Sequence, residues 1–138
     1  MKNIILFIHQ LPQNLIGLVI LLWHKWFCKH NKPLKIECDG ITYYELKHIN
    51  DCGVSLGNYI FIDSDSALYC GDDTIHHEHG HQLQSKYLGW LYLIIIGLPS
   101  ACGNLIDRIT HSRHGNKKCW YYKQPWEAWA DKLGGVKR

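Results

Sequence analysis

The hydrophobic residues form blocks whose periodicity changes along the chain. The first two blocks cover residues 4–8 (IILFI) and 15–23 (LIGLVILLW), and the second is apolar on every side, so it lacks the one-sided pattern of an amphipathic surface helix. A bilayer span needs about 20 apolar residues, a length reached only if the polar stretch 9–14 lies in its middle. The pattern predicts a hydrophobic N-terminal helix within residues 1–33, with Pro33 at the boundary of the domain that follows.

This N-terminal segment has two interpretations at the level of sequence. Residues 23–32 contain two tryptophans and three lysines, residue types that are enriched where a membrane anchor meets the lipid headgroups. Such an anchor would lie on the membrane surface or dip into it, and the lysines would keep the following domain on the cytoplasmic side. The alternative is a buried hydrophobic helix or an oligomer contact. We favour a membrane-associated protein, and otherwise expect a cytoplasmic one.

From residue 34 to residue 63 the pattern changes to short runs of β-branched and aromatic residues. Turn-forming pairs, such as Asp39-Gly40 and Gly57-Asn58, separate these runs. The runs predict two or three strands in a small antiparallel sheet. Residues 34–138 are therefore expected to form one α+β domain.

The second half of the chain has a helical pattern interrupted by one polar stretch. A helix is expected over 74–87, and the apolar run 88–98 is too short for a comfortable span, so it predicts a buried or membrane-dipping segment. Residues 107–118 are polar and basic, as in a loop. Pro125 is placed to open a last helix and Gly134-Gly135 to close it.

Composition limits the classes of function. The 138 residues, 46% hydrophobic and 20% charged, are enough for one folded domain. The formal charge is +3 and the basic residues are scattered, so no nucleic-acid partner is expected. The six cysteines form no CxxC pair and follow no cleavable export signal, so they are expected to be reduced thiols.

The chemistry is concentrated in the sequence HEHGH, from His77 to His81, within the helix expected at 74–87. His77 and His81 are four positions apart, so both imidazoles project from one face and can converge on one metal ion. Glu78 projects beside them, where it can take a proton from the water that the metal activates. Zinc suits this chemistry because it lowers the pKa of bound water to about 7. His79 does not lie on that face.

A third ligand is required, because a histidine-rich chain can contain HExxH by chance. Gln84 and Tyr87 stand where the metzincin extension requires glycine and histidine, so that class is excluded. The last helix supplies Glu127, followed one turn later on the same face by Asp131. Glu127 can complete a His2Glu zinc site whose fourth position stays open for water. Asp131 can accept the spare ring N–H of a ligating histidine and fix its tautomer.

With HEHGH followed by EAWAD, the chain resembles the gluzincin metallopeptidases, in particular the membrane-embedded heat-shock and CAAX-type proteases. Residues 55–62, 77–100 and 121–136 also resemble a family of small bacterial HExxH proteins. The resemblance implies a minimal zincin-like fold, with a small sheet beside the HExxH helix and a C-terminal ExxAD helix facing that helix across a Zn²⁺ cofactor. The chain is much shorter than the large membrane proteases and lacks their multiple spans.

By this resemblance the zinc ligands would be His77, His81 and Glu127. Glu78 would be the general base, and Asp131 would support a ligating histidine. The expected function is a zinc metallopeptidase that hydrolyses peptide bonds in a peptide or protein substrate.

Two further expectations concern groups near the third ligand. Among the polar and aromatic residues of 111–122, Tyr122 or His114 is the expected stabiliser of an oxyanion. The alternative function is a catalytically inactive zinc-binding scaffold or a membrane-associated interaction protein. In that case a protein side chain such as His111, His114 or Cys119 would fill the fourth position, and the metal would serve folding.

Overall fold

The computed structural model describes residues 2–28, 32–47, 53–63, 73–110 and 120–138, and it confirms an α+β fold. Its five α-helices are α1 (Lys2–His9), α2 (Leu11–Phe27), α3 (Asp73–Leu88), α4 (Leu98–Thr110) and α5 (Pro125–Gly134). Its four strands are β1 (Leu34–Cys38), β2 (Ile41–Leu46), β3 (Gly53–Leu56) and β4 (Tyr59–Asp63). Helix α3 lies on the sheet and α5 packs against α3.

The sheet is mixed, so the prediction of an antiparallel sheet is wrong in this respect. The strand order is β1-β2-β4-β3, and β2 pairs with β4 in parallel, with Tyr44 opposite Phe61. The other two pairs are antiparallel. Residues 60–62 of β4 are at most 1% exposed, and a strand buried on both faces belongs in the interior of a sheet. Strand β3, which contains Gly53 and Ser55, is left at the edge.

The core between the sheet and α3 is formed mainly by isoleucine side chains, together with one cysteine and one tyrosine. Its buried members are Cys38, Ile41, Tyr43, Ile60, Ile62 and Ile75. Cys38 is disulfide-bonded, so the expectation of six reduced thiols is wrong for this residue. Cys28 and Cys102 are free.

Helix α2 and the residue before it, Gln10, contact α3 through polar side chains. Gln10, Gln13 and Asn14, from the stretch that interrupts the two apolar blocks, are fully buried. The amide of Gln13 donates hydrogen bonds to Ser85 Oγ (2.9 Å) and to the carbonyl of Gly89 (2.8 Å), and Ser85 Oγ donates to Gln10 Oε1 (2.8 Å). The polar residues of the N-terminal segment therefore face the α+β domain.

The chain from Gly89 to Thr110 is helical. Its last four residues, 107–110, were predicted to be loop. A 3₁₀ turn (Gly89–Leu91) and a π-helical stretch (Leu93–Gly97) precede α4. Residues 107–110 belong to α4 and are not loop; the rest of the predicted loop lies outside the described residues. Pro99 does not end the helix, because it occupies the first turn of α4, where its missing N–H is tolerated.

One helical stretch in the described part of the chain, Leu93–Thr110, has the length and apolar composition of a membrane span. Of its 18 residues, 17% are buried. Length and composition alone are weak evidence for a membrane location. Helix α2 has 17 residues, short of the about 20 that a span needs.

Candidate metal centre

Two close helices build the site. Helix α3 covers the predicted 74–87 and carries His77, Glu78 and His81. Helix α5 begins at Pro125 and ends at Gly134, and it is capped by Gly135, which adopts the left-handed conformation (φ 77°) that favours glycine. The positions predicted to open and close this helix are therefore confirmed.

Glycine permits the close approach of these helices. A methyl group at Gly80 would overlap the backbone carbonyl of Ala130, and one at Gly134 would overlap the carbonyl of His76. The backbones can therefore meet only because both positions lack a side chain.

The structure brings His77, His81 and Glu127 together. Glu127 Oε2 lies 3.0 Å from His77 Nε2 and 3.2 Å from His81 Nε2. One ligand atom from each residue lies within 4.8 Å of the other two, and all three residues are buried. Two imidazoles and one carboxylate therefore converge, and together they could hold a metal ion.

The outer ring nitrogens of both histidines are held by hydrogen bonds. His77 Nδ1 lies 2.6 Å from Asp131 Oδ1, as the spacing of Glu127 and Asp131 predicted. His81 Nδ1 lies 2.7 Å from Gln84 Oε1, and the amide nitrogen of Gln84 donates to the carbonyl of Trp126 (2.7 Å). These acceptors place the proton on Nδ1 and turn Nε2 of each ring toward Glu127.

The role of Gln84 was not predicted from the sequence, where this residue served only to exclude the metzincin extension. The available signal was its position three residues after His81, on a neighbouring part of the same face. Its second partner belongs to α5, so the hydrogen bond depends on the packing of two helices.

The electrostatics of the cluster follow from burial and from these hydrogen bonds. Burial alone would raise the pKa of Glu127, but the hydrogen bonds from His77 and His81 hold that pKa well below its usual range. Burial would lower the pKa of His77, yet its hydrogen bonds to Asp131 and Glu127 outweigh burial and raise the pKa to about 9. The cluster thus favours an ionised carboxylate facing a cation.

A buried oxygen of Glu127 without a hydrogen-bond partner indicates whether His77, His81 and Glu127 fit a metal ion. Glu127 Oε1 is buried and has no hydrogen-bond partner among the residues that the structure describes. A buried carboxylate oxygen without a partner costs about 1–3 kcal/mol or more, and a cation would remove that cost. Two histidines and one carboxylate are also a donor set typical of sites for divalent metals. The residues fit a metal ion.

Glu78 and His81 line a cleft of about 360 Å³ between strand β3 and the helical stretch 92–104. Glu78 is buried against Gly53, where any side chain would overlap the glutamate. Burial raises the pKa of the Glu78 carboxyl, and the neighbouring histidines offset this only in part. Glu78 therefore lies between the cluster and the cleft, and its carboxyl binds a proton more readily than an exposed glutamate does.

Of the two predicted oxyanion stabilisers, Tyr122 does not line this cleft. Tyr122 is on the other side of the cluster, with its ring edge-on to that of His77 at 5.6 Å between centroids. His114 lies outside the described residues. Tyr121 lines the cleft, and its hydroxyl lies 2.8 Å from Ser100 Oγ. Burial, followed by the charge of Glu127, raises the pKa of Tyr121, so this hydroxyl keeps its proton.

Comparison of the chain with models of protein families, with curated proteins and with solved structures finds no match. The geometry of the described residues therefore carries the functional argument.

Proposed function

We propose that this protein is a zinc-dependent metallopeptidase. His77, His81 and Glu127 would bind the ion, and Glu78 would be the general base. The observation that carries the proposal is the convergence of three buried donors on α3 and α5, with Glu78 placed between them and an open cleft. A purely structural metal site would not need a buried carboxyl group, such as that of Glu78, beside a cleft.

In this proposal zinc, when bound, supplies the Lewis acidity that polarises a carbonyl and acidifies water. The Glu78 carboxylate accepts the proton of the attacking water and later gives it to the leaving amine. The position of Glu78 suits both transfers, because its side chain lines the cleft beside His81. Asp131 and Gln84 hold the imidazoles in the tautomer that leaves Nε2 free to act as a ligand.

The substrate is proposed to be an extended peptide. Strand β3 is at the edge of the sheet, and in the described part of the chain no strand pairs with its outer side. All four of its residues, 53–56, line the cleft beside Glu78. An extended chain can add to such an edge through backbone hydrogen bonds. Tyr121, on the opposite wall, is then our candidate donor to the oxyanion, in preference to Tyr122.

The test compares Glu78→Gln with wild type and with His79→Gln, which changes a histidine of the same helix outside the cluster. Elemental analysis should find about one zinc per chain in all three proteins, and Glu127→Ala should lose it. Cleavage of a fluorogenic peptide library should fall at least about a thousandfold in Glu78→Gln only. Full metal-dependent turnover by Glu78→Gln, or wild-type protein that folds without binding zinc, contradicts the proposal.

We also propose that the protein associates with a membrane surface. Of the 22 large hydrophobic side chains that are exposed among the described residues, ten lie on α1 and α2 and nine lie between Tyr87 and Ile109. The two groups meet at one point, where the Trp90 indole donates a hydrogen bond to the carbonyl of Ile8 (2.9 Å). A soluble monomer seldom exposes many large apolar side chains on neighbouring helices.

Vesicle sedimentation tests this association. The double substitution Trp23→Ser, Trp26→Ser should weaken binding to lipid vesicles about tenfold or more, and Trp120→Ser, which lies outside both groups, should not. Equal binding by all three proteins contradicts the proposal, and stable oligomers without lipid would favour a contact between copies.

The side of the membrane is a separate question. The lysines near α2 favour a cytoplasmic domain, whereas the disulfide at Cys38 is typical of an oxidising compartment. We propose that the domain lies on the cytoplasmic side, because of these lysines. A maleimide that cannot cross the membrane should not label the Lys47→Cys variant in intact cells. Labelling would contradict the cytoplasmic location.

A further inference from the structure

The last residue of the chain returns to the metal cluster. After α5, Gly135 turns the backbone, and the amide of Val136 donates to the carbonyl of Asp131 (2.9 Å). This turn brings the side chain of Arg138 back over α5, where it is 13% exposed. An arginine side chain is seldom covered to this extent unless it is paired, so its position requires specific partners.

Arg138 has two such partners. Its Nε lies 2.9 Å from Asp131 Oδ2 and 3.1 Å from Oδ1, and its guanidinium carbon lies 3.6 Å above the centre of the Tyr122 ring. Asp131 Oδ1 is the atom that accepts the Nδ1–H of His77, and the Tyr122 ring is packed edge-on against the same imidazole. Both partners of Arg138 therefore contact His77.

We propose that Arg138 is a positioning residue of the metal centre, which acts on His77 through Asp131. The inference rests on the proposed metal site. Arg138 keeps the carboxylate turned so that Oδ1 faces the ring, and its stacking on Tyr122 fixes the second side of the imidazole. Groups that orient a ligating histidine typically change metal affinity 10–100-fold. Because Arg138 is one contact further away, we expect a loss of about three- to tenfold.

The test measures the zinc dissociation constant of the full chain by competition with a chelator, together with the absorption spectrum of the Co²⁺ form. The variants are Arg138→Gln, Arg138→Lys and, as a matched control, Lys137→Gln, which changes an exposed neighbouring cation. Each substitution at 138 is also made in the Asp131→Asn background. The double-mutant cycle isolates the part of the effect that passes through Asp131.

The expected result is a three- to tenfold weaker zinc affinity and an altered Co²⁺ spectrum in Arg138→Gln. Arg138→Lys should recover part of the loss, Lys137→Gln should match wild type, and the loss should vanish in the Asp131→Asn background. Wild-type affinity in Arg138→Gln overturns the inference, and so does an equal loss with and without Asp131. If Arg138→Gln does not fold, the cycle with Arg138→Lys decides by the same criteria.

The two proposals can fail separately. Arg138 variants that bind zinc as wild type does, while Glu78→Gln loses turnover, overturn only the role of Arg138. Wild-type protein that binds no zinc overturns both.

Discussion

Substitution of Gly80 by alanine tests whether the approach of α3 to α5 determines the metal centre. The new methyl carbon would lie well inside 3.0 Å of the Ala130 carbonyl, a separation that Cβ atoms essentially never show. To regain ordinary contact, at least 3.4 Å, the two helices would have to separate by more than about 1 Å. The change therefore acts on geometry and removes no ligand.

The consequence for the site can be estimated from its distances. The donors on α3 lie 3.0 and 3.2 Å from Glu127 on α5, and a metal site tolerates only about 0.2 Å in its ligand distances. We therefore expect Gly80→Ala to weaken zinc binding at least about 100-fold, more than the loss of a hydrogen bond that orients a ligand. The overpacked interface should also cost about 1–3 kcal/mol of unfolding free energy.

The assay is zinc competition together with urea unfolding, and Gly103→Ala is the matched control. Gly103 is also a buried helical glycine, but its nearest neighbour to an added Cβ is at 3.4 Å, an ordinary contact. The control should keep its zinc affinity and gain up to about 1 kcal/mol from helix propensity. Gly80→Ala with wild-type zinc affinity would refute the claim that helix spacing determines the site.

Three further predictions follow from the hydrogen bonds and charges. Gln84→Leu should weaken zinc binding about 10–100-fold, because it removes the hydrogen bond that orients the ring of His81. Gln82→Leu, on the same helix, should leave zinc binding unchanged, and competition with a chelator measures both affinities. Ser85→Ala should cost about 1–3 kcal/mol in urea unfolding, because it leaves buried glutamine groups of the N-terminal helices unpaired; a neutral result would mean that water replaces the hydroxyl. Without metal, the pKa of His77 is about 9 in the folded state and about 6.5 in the unfolded state. The protonated imidazole therefore stabilises the fold fully below about pH 6.5, and this stabilisation is lost as the pH rises through about 9. Unfolding in a chelator should therefore become easier from about pH 6 to about pH 9, while zinc, which needs neutral imidazole, should reverse this trend.

Local features of the sequence predict the parts of the site that depend on one element. The spacing of His77 and His81 places both rings on one helical face, and that of Glu127 and Asp131 repeats the pattern on α5. Pro125 and Gly135 mark the ends of α5 because their backbone preferences are intrinsic to the residues. These positions follow from the geometry of a single helix.

The remaining features depend on contacts between distant segments. The parallel pairing of β2 with β4 is decided by which strand is buried on both faces, and short apolar runs do not reveal this. Gln84 has the spacing of an ordinary surface residue until α5 brings the Trp126 carbonyl to it. The polar residues Gln10 and Gln13 interrupt an apolar run, but their partners on α3 are more than seventy positions away.

The short distance between α3 and α5 also has a consequence for the folding equilibrium. His81 and Glu127 are 46 positions apart, so only the folded chain offers both groups to one ion. An ion with this preference would stabilise the folded state by about 2.7 kcal/mol at a free concentration about one hundred times its Kd, a large part of the stability of a small domain. The amount of folded protein in a cell would then follow the supply of metal.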